Sequence, residues 1–360
     1  MNRNKKISLS SRLLILLFVL CFLGIFFVLE SSAVESFSLY GHQYYYVMRQ
    51  LQWFGVGVVA FLIGWLVPRK VWMKLSPLFF IVGLLLMGLV FIPSIGVEIN
   101  GAKRWFVLFG ISIQPVEFFK IGLILFFSSW LLKHQRILPL FSLLVVPSII
   151  LLLQPDFGSL LVVLFTAFCL FYVGGGSLKK LSPFVLGFAL ILTLAVILSP
   201  YRVRRVRTFL NPDSDPLGAS FQIRQITLAL GSGGLWGKGL GNSQQKYAFI
   251  PEASSDSIFA IVAEEVGFIG SLVIILLFLY YLYTLFQVSS QLKNGSYSQL
   301  LIMGLCILVA GQSLLNLGAI VALVPLTGLP LPFFSHGGSS LVSLLFLNGI
   351  GYKIAKEVKN

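Results

Sequence analysis

A chain of 360 residues with 57% hydrophobic and only 11% charged residues, and a mean hydropathy of +0.94, is too apolar for a water-soluble globule. Its 26 basic against 12 acidic residues, a formal net charge of +14, would suit a nucleic-acid binder only if the cations were gathered on one solvated face. They are scattered instead through short segments between apolar runs, a pattern that sets orientation in a bilayer and excludes nucleic acid as a partner.

About ten apolar runs are long enough to be spans, near 13–29, 50–67, 77–93, 115–132, 137–153, 159–173, 183–199, 257–286, 300–324 and 338–354. An even number puts both termini on one side. That side is expected to be cytoplasmic, because it collects most of the Lys and Arg, among them Arg3, Arg12, Arg69, Lys70, Lys293 and Lys353. The short loops of the other side hold only Arg49, Lys103 and Arg104. The fold class is therefore an all-α integral membrane protein, a single polytopic domain over 1–360, multi-pass in the plasma membrane. One long extracytoplasmic loop, 201–255, separates spans seven and eight. The first 33 residues share features with a signal peptide, but the run Leu13–Leu29 exceeds the roughly 7–15 residues of a signal core and reads as an uncleaved anchor. Cys21, Cys169 and Cys306 each lie inside an apolar run and read as inert packing residues; no Cys or His spacing suggests a metal site.

The polar groups follow in chain order. The turn NGAKRWF puts Arg104 where it can bind phosphate and Trp105 where it can anchor at the headgroup level. Gln114, Glu117 and Lys120 share one face at the start of the fourth span. Glu117 and Lys120 form either a structural ion pair or a set in which Lys120 holds an anionic ligand group. The motif QPDFG joins spans five and six, with Asp156 either capping a helix or turned into an outer cavity. Arg202, Arg204, Arg205 and Arg207 suit lipid headgroups or, as guanidinium forks, a pyrophosphate. Ser220–Leu230 is amphipathic enough to lie along the interface. The run GSGGLWGKGLGN fits neither GxGxxG nor GxxxxGK[ST] and reads as a tightly turned rim.

The most informative stretch is Lys246–Gly267, where carboxylates stand at the mouth of, and inside, an apolar segment. A charge at a bilayer centre costs roughly 2.5–3.5 kcal/mol, so Asp256, Glu264 and Glu265 must be paired, hydrated or used. Asp256, Ala260, Ala263, Gly267 and Gly270 fall on one helical line, which directs Asp256 toward a helix junction. It is either an N-cap with a basic partner or the working group of an extracytoplasmic active site. Glu264, deeper in the segment, reads as a hydrogen-bonding support behind it. Gln312 and Asn316 read as glue between helices. The turn GLPLPFFSHGGSS delivers Ser339, which caps the last helix or binds substrate, and His336, which has no evident partner.

Together NGAKRW, SIQPVEFFK, QPDFGS, the block from NPDSDPLGASFQIRQ through KYAFIPEASSDSIFAIVAEEVGFIG, and PLPFFSHGGSS resemble the SEDS family, the shape, elongation, division and sporulation proteins. The likeness spans essentially the whole chain. The segment GKGLGNSQQKYAFIPEA is more similar to the division branch, FtsW, than to the elongation branch, RodA. The resemblance implies a peptidoglycan glycosyltransferase that polymerises lipid II, an undecaprenyl-pyrophosphate disaccharide-peptide, at the outer face of the inner membrane. It also implies a class B penicillin-binding protein transpeptidase and other division proteins as partners. The family's essential aspartate falls on Asp256, in a motif that includes Glu252; Ser254, Ser255 and His336 stand where relatives carry His, Thr and Tyr. On this reading Asp256 is the general base in an inverting attack by a sugar hydroxyl. Arg104, Lys120 and one or more of Arg202–Arg207, with Arg202 and Arg207 as the leading candidates, hold the pyrophosphate, alone or with Mg²⁺ or Mn²⁺, and Gln114, Glu117, Asp156, Glu252 and Ser339 shape the substrate site. The alternatives are a flippase for the same lipid and a non-catalytic division scaffold. A flippase would carry polar groups along its whole path, whereas here they stop in the outer half.

Overall fold

The computed structural model describes residues 7–99, 102–108, 111–211, 220–246 and 254–358. Helices α1 (Leu9–Tyr40), α2 (Tyr45–Leu66) and α3 (Arg69–Leu89) lead into strands β1 (Gly96–Ile99), β2 (Ala102–Leu108) and β3 (Ile111–Ile113). Next come α4 (Pro115–Trp130), α5 (Ile137–Leu153), α6 (Phe157–Val173) and α7 (Leu178–Ile197). Two helices in the long loop, α8 (Pro200–Leu210) and α9 (Phe221–Gly233), precede α10 (Ile258–Ser290), α11 (Tyr297–Ile320) and α12 (Gly338–Glu357). All ten expected apolar segments are helical. Six helices, α1, α2, α3, α7, α10 and α11, are long and apolar enough to cross a membrane by length and composition; α5 and α6 are apolar but shorter.

The architecture is all-α, as expected, with one small sheet that the sequence reading did not include. β1, β2 and β3 form an antiparallel meander, with a bulge between Val97 and Glu98. The Asn-Gly dipeptide between β1 and β2 is a strong hairpin signal in the sequence, and reading it as part of a basic turn passed over the alternating residues on either side.

The core has two parts. The larger gathers α1, α2, α10, α11 and α12, the smaller α3 to α6, and α4 contributes to both: Ile121, Ile124 and Leu125 to the first, Phe119, Leu123 and Phe127 to the second. α2 and α12 meet at backbone distance, since a Cβ on Gly64 would lie 2.5 Å from the Phe346 carbonyl oxygen and one on Gly349 only 2.1 Å from that of Phe61. α1 runs well past the expected 13–29; Ser8 caps its start by accepting from the Ser11 N–H, and Gly41 ends it in the left-handed region at φ 74°. Ser31 and Ser32, near the candidate cleavage point, are buried within it. α7 buries only Leu181 and Phe188 of its 20 residues, which leaves most of its surface for lipid.

The span expected over 257–286 is broken. Gly267 takes φ 69°, ψ −170° inside α10, so Gly270 does not continue the line of small residues that starts at Asp256. The glycine-rich run fills this break. Lys238 and Gly239 donate their N–H groups to the Glu264 and Glu265 carbonyls, and Phe268 and Ile269 donate back to those of Gly234 and Leu235. Gly237, at φ 82°, is pressed so close that a Cβ would sit 2.1 Å from the Glu265 carbonyl oxygen. The small residues thus admit a loop, and the helix α9 that precedes it, rather than another spanning helix.

Candidate active site

A cavity of about 770 Å³ opens where the sheet, the C-terminal end of α1, the N-terminal part of α2, the α11–α12 turn and the long-loop helices converge. The starts of α4, α10 and α12 reach it through Gln114, Asp256 and Gly337–Ser340, so three helix N-termini bring their positive dipole ends to one space. Arg49, Arg104 and Arg205 add guanidinium charge. Among the described lining residues Asp256 is the only acid.

Asp256 is held from several sides. Its main-chain carbonyl accepts from Asn316 Nδ2 at 2.8 Å, and that amide also donates to the Leu329 carbonyl at 2.8 Å. Its Oδ1 accepts from Ser257 Oγ at 3.1 Å, and Ser257 Oγ accepts in turn from Gln222 Nε2 on α9 at 3.1 Å. Opposite stands Arg104, fixed by donation from Nε to the Gln154 carbonyl at 3.3 Å and from Nη2 to the Pro155 carbonyl. A Cβ placed on Gly328 would be 3.9 Å from both Arg104 Nη1 and Asp256 Oδ2, so acid and guanidinium flank a single point in the cavity.

Arg104, Trp105, Gln114, Asp256 and Ser339 come together in the lining, and Ser339 Oγ accepts from the Gln114 N–H at 3.1 Å. Other residues selected from the sequence lie behind it. Asp156 caps α6 by accepting from the Ser159 N–H at 3.1 Å, with Arg104 Nη1 at 4.0 Å. Glu117 and Lys120 are buried and paired at 2.7 Å, and Lys120 also donates to Gln312 Oε1 at 3.2 Å. Gln312 Nε2 donates to the Pro330 carbonyl at 2.9 Å, so the pair braces the floor of the site without lining it.

Of the arginine cluster, Arg205 reaches the cavity and donates to the Leu326 carbonyl at 3.0 Å. Arg202 donates instead to the Ala195 and Leu152 carbonyls at the ends of α7 and α5, where burial lowers its pKa, and Arg207 is exposed. Glu264 is outside the lining: its carboxylate accepts from Lys238 Nζ at 2.6 Å, Ser232 Oγ, Ser243 Oγ and the N–H groups of Gln244 and Gln245. Glu265 faces Lys246 at 3.5 Å. Glu252 falls outside the described residues.

Sequence reasoning missed Gln222 and the aromatic rim Tyr40, Tyr45, Tyr46 and Trp53, and named Arg205 only as one of a cluster. His336 also lines the cavity; its N–H donates to the Ser254 carbonyl at 2.9 Å and its ring meets Tyr46 edge-on at 5.2 Å. Burial pushes its imidazole pKa down to about 4, so the ring is neutral at pH 7. Among the described residues no three His, Cys, Asp or Glu side chains gather to hold a metal ion.

These features define a polytopic membrane protein with a cationic, single-acid cavity at one end of its helices. The family model described as "Cell cycle protein", covering FtsW, RodA and SpoVE, matches residues 11–360, and the chain belongs to that family. It is 36% identical over 98% of its length to "Probable peptidoglycan glycosyltransferase FtsW" of Thiomicrospira cyclica, spanning 93% of that protein. To "Stage V sporulation protein E" of Bacillus subtilis it is 34% identical, over 98% of both chains. Among solved structures it superposes with TM-score 0.78 and 29% identity, over 96% of this chain and 97% of the other, on a component of a peptidoglycan synthase complex described for its coordination of polymerization and crosslinking. The rod shape determining protein RodA of Thermus thermophilus superposes with TM-score 0.69 and 28% identity over 97% of both chains.

Proposed function

We propose that this chain is a peptidoglycan glycosyltransferase that polymerises lipid II at the outer face of the plasma membrane, serving septal wall synthesis in division. The observation that carries the reading is the pairing of one carboxylate, Asp256, with a fixed guanidinium, Arg104, across a single point in the cavity. The names of the similar proteins support the reaction class, and the charge asymmetry of the sequence supports cytoplasmic termini with the cavity outside.

The chemistry follows from what each group offers. Asp256 takes the proton from the acceptor sugar 4-hydroxyl, whose oxygen attacks the anomeric carbon of the donor from the face opposite the pyrophosphate, giving inversion. The bond to pyrophosphate breaks with its electron pair on that leaving group. Pyrophosphate leaves readily once its charge is held, so no second acid is required; Arg104, Arg205 and the N-termini of α4 and α12 supply the field. Among the described residues the lining offers a single carboxylate, so a divalent cation would take most of its oxygens from the phosphates. Likeness to a component of a synthase complex that couples polymerization to crosslinking supports a class B transpeptidase as the partner.

The test is reconstitution of the purified protein with that transpeptidase and lipid II, followed by gel analysis of glycan strands. Asp256→Asn, folded and membrane-inserted, is expected to lower polymer formation at least about 100-fold. Undiminished synthesis by that variant would overturn the assignment. Transfer of the lipid across liposomes without polymer would replace the enzyme with a flippase.

A further inference from the structure

A second pocket, of about 370 Å³, lies at the other end of the molecule, between the α2–α3 and α10–α11 turns. α11 fixes its distance from the active site. Asn316 holds the Asp256 carbonyl near one end of that helix, and Tyr297 begins the other, about 28 Å away at 1.5 Å per residue. This is close to the roughly 30 Å of a bilayer's hydrocarbon core, so the pocket opens at the opposite interface. Charge asymmetry orients that interface to the cytoplasm.

Its lining suits a phosphate. Arg69, Lys70 and Lys293 contribute three cations, and among the described residues neither lysine has a carboxylate partner. Arg69 is shared: it pairs with Glu357 at 2.7 Å and donates to Ser298 Oγ at 3.2 Å, so the local balance remains positive. Arg69 also opens α3 and Tyr297 opens α11, bringing two helix N-termini to the pocket. Tyr297 and Ser298, both buried, form its inner wall at the start of α11. Met73 and Leu292 supply an apolar wall suited to an acyl chain.

We propose that this pocket binds the phosphate headgroup of an anionic phospholipid of the inner leaflet. The site is independent of the glycosyltransferase reading. The test is native mass spectrometry of the full-length protein in mixed micelles, with phosphatidylglycerol, phosphatidylcholine and inorganic phosphate as separate arms. Phosphatidylglycerol adducts are expected to exceed phosphatidylcholine adducts at least fivefold, and to fall at least fivefold in K70Q/K293Q. Both lysines are exposed, so that variant leaves the core untouched. Equal retention of the two lipids, or unchanged retention in the double variant, would overturn the proposal. So would saturation by inorganic phosphate without any preference between the lipids.

Discussion

Glu264→Ala tests the idea that the glycine-rich segment is a strap locked into the break of α10. In the native protein the Glu264 carboxylate is fully buried and accepts from Lys238, Ser232, Ser243 and two consecutive main-chain N–H groups. Removing one member of a buried ion pair costs about 3–5 kcal/mol where its partner stays buried. Lys238 is 27% exposed and regains water, which moves the figure toward the lower end; the orphaned Ser243 hydroxyl and amides add about 1–3 kcal/mol for each group that stays dry. A net loss of about 3 kcal/mol corresponds to an opening equilibrium raised about 100-fold. Trypsin cleavage at Lys238 in lipid nanodiscs reads this directly, because its rate tracks the open population when reclosing is fast. Glu264→Ala is expected to be cut about 100-fold faster than the native protein, and Glu264→Gln, which keeps one acceptor oxygen, by an intermediate factor. Glycan synthesis should fall as well, since α9 carries Gln222 and through Ser257 steadies Asp256. An unchanged cleavage rate in the alanine variant would refute the strap.

Two further outcomes follow from the buried groups. Lys120→Met should destabilise the fold by about 3–5 kcal/mol by leaving Glu117 charged and unpaired, whereas the double variant with Glu117→Gln should recover much of the loss; thermal unfolding in detergent separates them, and equal losses would count against a purely bracing pair. His336 holds its ring neutral down to about pH 4, while the unfolded chain takes up a proton near 6.5. The unfolded state therefore binds more protons within that window, and the contribution, full above pH 6.5, is lost as pH falls toward 4, by at most about 3 kcal/mol. Melting temperatures at pH 7.5 and 4.5 should show a shallower pH dependence in His336→Gln than in the native protein.

The apolar segments were legible because hydrophobic length alone defines them, and Asp256 stood out because an acid at the mouth of such a segment needs a reason. Which neighbour each helix face meets is another matter. On α8, Arg202 and Arg205 are one turn apart and equally basic, yet one ties together the ends of α5 and α7 and the other enters the cavity. That division depends on how α8 docks, which its own periodicity does not encode. The strap was hidden for a related reason: Gly237 and Gly267 lie 30 residues apart, and only the fold shows that each is small because of the other. The hairpin was different, since its Asn-Gly signal was present in the sequence.

The distribution of cations gives the site its logic. Three interior carboxylates, Glu117, Glu264 and Glu265, each face a lysine, Lys120, Lys238 and Lys246, at 2.7, 2.6 and 3.5 Å. The cations lining the cavity are arginines. Main-chain carbonyls accept from both Arg104 and Arg205, a contact that fixes a guanidinium without itself neutralising it. Asp156 forms only a loose ion pair with Arg104, at 4.0 Å, while the same Oδ1 caps α6. Three converging helix N-termini add to the same field. On the proposed reading, a cavity so arranged would hold the charge of the pyrophosphate leaving group and leave one acid, Asp256, among its described lining residues to receive a proton.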